Sequence, residues 1–152
     1  MEQLYKARGT LDHGFVGQIT YTVCLETVYD KLDIAFSFDN RRFSPEDATP
    51  ERIAEIRELC RTKYGLDGTD EQARDVILSD MKTEIHTLAM LNGEFIGCIH
   101  RQMDTRHMTY DGDQATEGCI PQPSFSGVLQ VTLLVFNVIK DDTAYTLTVS
   151  AQ

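Results

Sequence analysis

Two spacings of apolar residues divide the chain. Ile19, Tyr21, Val23 and Leu25 alternate with Thr20, Thr22 and Cys24, and Leu32, Ile34, Phe36 and Phe38 alternate with Asp33, Ala35, Ser37 and Asp39. Period two sends successive side chains to opposite faces, so these read as two half-buried strands joined near Tyr29-Asp30-Lys31. Residues 85–91 and 94–100 flank Asn92-Gly93, a pair that tolerates positive φ, which predicts a tight hairpin. A regular two-residue turn there sets His86 opposite Ile99 and points His100 to the other face. Residues 128–139, a turn at 140–143 and residues 144–150 predict a second hairpin. Its first strand is apolar on both faces and hence central, and Tyr145, Leu147 and Val149 share one face of its second. With residues 5–11 and the segment around Met108 and Tyr110, seven or eight strands are expected.

Between residues 50 and 81 the period changes. Ile53, Ile56, Leu59 and Cys60 follow a helical rhythm, with Thr49 as N-cap, Pro50 at the first helical position and Gly65 past the end. Thr69 and Gln72 form a capping box for a second helix, Asp70 and Glu71 suit its positive end, and Ala73, Val76, Ile77 and Met81 form its buried stripe. Strands at this density without strand-helix-strand alternation predict a mainly β fold. We expect one antiparallel, jelly-roll-like β-sandwich domain over 1–152, with a helical hairpin inserted at about 50–81.

Composition narrows the partners. The chain has 152 residues and a formal net charge of −10, which repels phosphate backbones and anionic bilayers, so neither nucleic acid nor membrane is an expected partner. Residues 39–81 hold half of the bases and almost half of the acids, marking the helical stretch as a solvated insertion. The opening residues lack an export signal, and Cys24, Cys60, Cys98 and Cys119 lack metal or redox spacing, so a cytoplasmic protein with reduced thiols is expected.

The residues from Ala115 through Thr116-Glu117-Gly118-Cys119-Ile120-Pro121-Gln122-Pro123, then Gly127, Val131, Leu133, Phe136 and Val138, then Tyr145 to Val149, form a further pattern. It resembles the end of the jelly-roll domain that accompanies PHP-type metal-dependent phosphoesterases, and more distantly bacterial pre-peptidase C-terminal domains. The resemblance implies an ancillary sandwich and no catalytic residue, because in those phosphoesterases the metal ligands belong to a separate domain. Independently, Pro121 and Pro123 cannot lie in a central strand, so 118–127 is expected to cross the end of the sandwich.

Candidate chemistry is sparse. His100, Asp104 and His107, with His86 near, offer imidazole and carboxylate groups to a divalent metal, the one cofactor these residues suggest; a polar strand end is the alternative reading. Asp111 and Asp113, with Glu117, suggest either a calcium loop or a plain turn. Arg41-Arg42 beside Phe43 suits an anion or the edge of the insertion. Nucleophile-elbow, phosphate-loop and dinucleotide signatures are absent from the sequence. The leading expectation is a non-catalytic module that binds a small molecule, carbohydrate or protein through exposed Phe43, Arg101, Tyr110 and Phe125. The alternatives are a metal-dependent hydrolase using His86, His100, Asp104 and His107, and a homo-oligomer joined through the helical hairpin.

Overall fold

The computed structural model describes residues 1–100 and 103–152. Among the described residues nine strands form two antiparallel sheets: β1 (Glu2–Leu11), β2 (Gly17–Tyr29), β3 (Lys31–Phe38), β4 (Glu84–Leu91), β5 (Glu94–Ile99), β6 (Thr105–Asp111), β7 (Gln114–Ala115), β8 (Phe125–Asn137) and β9 (Thr143–Ala151). One sheet has the order β1-β9-β3-β6-β7 and the other β2-β8-β4-β5. Chain neighbours thus alternate between layers, with β4–β5 and β6–β7 as the hairpins within a layer, and this is the jelly-roll arrangement of a double-sheet sandwich.

The alternation places the core. Leu32, Ile34, Phe36 and Phe38 of β3 meet Leu129, Val131, Leu133 and Val135 of β8 and Leu147 and Val149 of β9 in one buried cluster between the sheets. A hydroxyl pair also ties the layers, Tyr21 to Tyr145 at 2.6 Å between oxygens. Burial and the shared proton push the Tyr21 phenol up to about 12.

One expected pairing is corrected. The stretches 128–137 and 144–150 lie in different sheets and so form no hairpin, and 19–25 and 32–38 likewise lie in different sheets. Each connection crosses between layers instead, because β8 finds partners in β2 and β4, and β9 in β1 and β3. The Asn92-Gly93 hairpin forms with φ of 51° and 83° at its two turn residues. Its register differs from the regular one: Met90 pairs with Phe95 but Ala89 with Gly97, so Ile96 is an extra residue in a β-bulge. Thr87 therefore opposes Ile99, and His100 follows on opposite His86, their ring centroids 5.7 Å apart.

The helical insertion leaves β3 and returns to β4. Helix α1 (Pro50–Tyr64) starts at Thr49, whose hydroxyl accepts from the Arg52 amide, and stops at Gly65 in the left-handed conformation. Helix α2 (Asp70–Asp75) opens with the Thr69–Gln72 capping box and runs into a π-helical turn, Val76–Asp80. The insertion's inner residues Ile56, Ala73 and Ile77 form a second, smaller core with Phe43, Ala48 and Ile139, while Leu59 stays half exposed. The neck is closed by an isolated bridge between Arg42 and Lys82 and by buried Thr83, which donates to the Asn40 carbonyl and accepts from the Ile139 amide. No helix among the described residues is long and apolar enough to cross a membrane.

Candidate ligand site between β5 and β6

Strand β6 presents Arg106, Met108 and Tyr110 inward and Thr105, His107 and Thr109 outward. An arginine thus occupies a core position, 3% exposed. Its guanidinium carbon lies 5.2 Å from the ring centroid of Phe36 and 5.7 Å from that of Phe38, so the cation rests against aromatic faces. Nη1 donates to the Ile99 carbonyl at 3.3 Å, a long bond, and Nε and Nη2 have no partner among the described residues. Burial pulls the guanidinium down to about 10, so the group remains protonated at neutral pH. The other buried side-chain polar atom without a partner among the described residues is Thr87 Oγ1, on the residue that pairs with Ile99.

Beside Arg106 lies a recess of about 300 Å³ lined by Ile99, Met103, Thr105, His107, Thr116 and Glu117. Strand β5 is the edge of its sheet, and only the two-residue β7 lies outside β6, so the recess opens where the layers part. Below it the layers are joined: the Tyr110 hydroxyl donates to the Ile96 carbonyl at 3.1 Å, and burial holds that phenol protonated far above its ordinary range. Gly97 makes room for this contact, since a Cβ there would meet Cys119 Sγ at 2.7 Å and the Tyr110 hydroxyl at 2.8 Å. Burial also pushes the Cys98 and Cys119 thiols up, away from thiolate reactivity.

The sequence-derived binding residues fall elsewhere. Arg101 lies outside the described residues. Phe43, Tyr110 and Phe125 are buried, not exposed. Phe43 sits under the Arg52 guanidinium at 4.3 Å in the small core, and Tyr110 packs edge-on against Phe125 at 5.4 Å in the large one. Their aromatic surfaces are consumed by packing.

The metal candidates are dispersed. Asp104 pairs with Arg41 at 2.8 Å, His107 Nδ1 with Asp33 at 3.0 Å, and Asp111 with Lys31 at 2.8 Å. Asp113 is exposed in the β6–β7 turn, and His100 faces His86, which stands 3.2 Å from Glu84 and 4.4 Å from the ring of Phe136. Among the described residues no three His, Cys, Asp or Glu side chains are grouped so as to hold a metal ion. Arg41 and Arg42 line the neck of the insertion: Arg41 holds Asp104 and Arg42 donates to the Ser79 carbonyl.

Sequence reading missed Arg106. The signal was its phase: two residues before Met108 and four before Tyr110, it shares their face of the strand.

No curated protein matches the chain. Residues 1–152 match the model of a family described as Family of unknown function (DUF6669), and the chain belongs to that family.

Proposed function

We propose that the chain is a non-catalytic binding module, a jelly roll that takes a small molecule into the recess between β5 and β6. One observation carries this: a protonated guanidinium is held in the core, beside an open recess, with two donors unsatisfied. A buried donor without a partner costs about 1–3 kcal/mol, and a ligand that accepts from it recovers that loss. Among the partner classes expected from the sequence, a small molecule is favoured over a carbohydrate, because the described lining of the recess includes no Phe, Tyr or Trp ring on which a sugar would stack. The pairing of Asp104 and His107 with Arg41 and Asp33 favours the module over the metal-dependent hydrolase. The jelly-roll strand order supports the resemblance to the domain of PHP-type phosphoesterases in fold, and the ancillary role and cytoplasmic setting belong to this same proposal.

The test is a small-fragment screen by amide NMR on the full chain. Hits are expected to perturb residues 99, 105–107 and 116–117, and to be lost in Thr105→Trp, which fills the recess from an exposed position. Hits that gather instead in the groove between α1 and α2, unaffected by Thr105→Trp, would overturn the assignment.

A further inference from the structure

Resting on the reading of this recess as a binding site, we infer that its ligand is a small apolar monocarboxylate, gripped side-on by Arg106. The two unsatisfied donors are Nε and Nη2. These two N–H groups lie along one edge of the guanidinium plane, and that edge matches the two oxygens of a carboxylate. The third nitrogen is already turned to the Ile99 carbonyl, and the guanidinium carbon lies over the rings of Phe36 and Phe38. What is left without a partner among the described residues is therefore a bidentate edge rather than a diffuse positive charge.

Charge balance limits the anion. Arg106 supplies a single positive charge, and the chain around it is strongly acidic, with Glu117 on the rim of the recess. A carboxylate is neutralised by one guanidinium. A phosphate dianion would leave one charge uncompensated in a site of low polarity, which is costly.

Size and lining limit the rest of the molecule. Ile99 and Met103 provide apolar wall, and the recess is at the lower end of the range of about 300–1,000 Å³ typical of small-molecule sites. A short aliphatic or single-ring acid fits this description.

The experiment is a calorimetric and amide-NMR titration of the full chain with hexanoate and benzoate, with hexanamide and benzamide as neutral isosteres, and with inorganic phosphate. Arg106→Met, which keeps an unbranched apolar stem, and Arg106→Lys, which keeps the charge without the fork, are titrated alongside, with circular dichroism checking that each folds. Support would be carboxylates binding at least about tenfold tighter than their amides, with shifts at residues 99, 105–107 and 116–117, that margin vanishing in Arg106→Met and shrinking in Arg106→Lys. Amides binding in the recess as tightly as acids would overturn the carboxylate while leaving the binding site in place. Phosphate binding tighter than either acid would also overturn it, in favour of a phosphorylated ligand. Acids that shift only residues outside the recess, or none at all, would overturn the carboxylate inference, and with a screen empty at the recess the site falls too.

Discussion

A single residue can be right for its strand by position and wrong by chemistry, and Arg106 is that residue here. Its phase places it inward, and its charge then has to be accommodated among Phe36, Phe38 and the Ile99 carbonyl. Without ligand this arrangement is a liability, since a buried charge lacking an ionic partner is often less stable than an apolar replacement. Arg106→Met is therefore expected to raise the thermal midpoint of the ligand-free protein, by about 1–2 kcal/mol of stability in a denaturant titration. Gly97 gives the opposite sign. Its Cβ position is closed by Cys119, Tyr110 and Met108, so Gly97→Ala is expected to cost about 1–3 kcal/mol and to weaken the bond from Tyr110 to the Ile96 carbonyl, read as a lower denaturant midpoint. Neither effect is visible in a string of letters. The alternation that marks residues 106, 108 and 110 as one face is legible, but the surroundings of that face come from β3, far away along the chain, and from β5, which lies in the other layer.

The elements themselves were legible where a local rule sufficed. The caps at Thr49, Gly65 and Thr69 and the turn at Asn92-Gly93 are set by neighbours within four residues, and the structure has each of them. Pairing was not, because period two says which face a residue takes and nothing about which strand lies beside it. The bulge at Ile96 shows the limit most sharply: one extra residue sets His100 opposite His86, where a regular ladder would place it on the other face. The same hairpin is anchored by Asn92, whose side chain accepts from the Val128 amide at 2.8 Å and donates to the Ser126 carbonyl at 2.9 Å. Asn92→Ala is expected to lose about 1–3 kcal/mol, measured by chemical denaturation, because both of those bonds go and the left-handed conformation loses a favoured residue. The insertion is pinned differently, by Asp47 and Lys140 at 2.6 Å. The Lys140 ammonium holds the Asp47 carboxyl down to about 2, below its usual 3.8. A carboxyl lowered by folding stabilises above its unfolded value and ceases to do so as pH falls through its folded one. The contribution is thus expected to be complete above pH 4 and lost toward pH 2. Lys140→Met should flatten that part of the acid-stability curve, with a change of about 1 kcal/mol or less at neutral pH.

At the scale of the whole molecule, the two layers are interdependent because the centre of each is supplied late in the chain. Strand β8 stands between β2 and β4, and β9 between β1 and β3. Leu133 and Leu147, both fully buried on those strands, are expected to cost about 2–5 kcal/mol each on truncation to alanine. Because the layers share one core, far-UV dichroism and tyrosine fluorescence should report one coincident transition in each variant; separate transitions would mean that the sheets unfold independently.

That order of strands also bears on how the protein comes off the ribosome. Until the last strands emerge, β1 and β3 have no bridge between them, and β2 has no partner at all in its own layer. The alternating backbone of β1 and β2 must wait unpaired in its own layer until β9 and β8 emerge, a window in which nascent chains would tend to find one another before they find themselves.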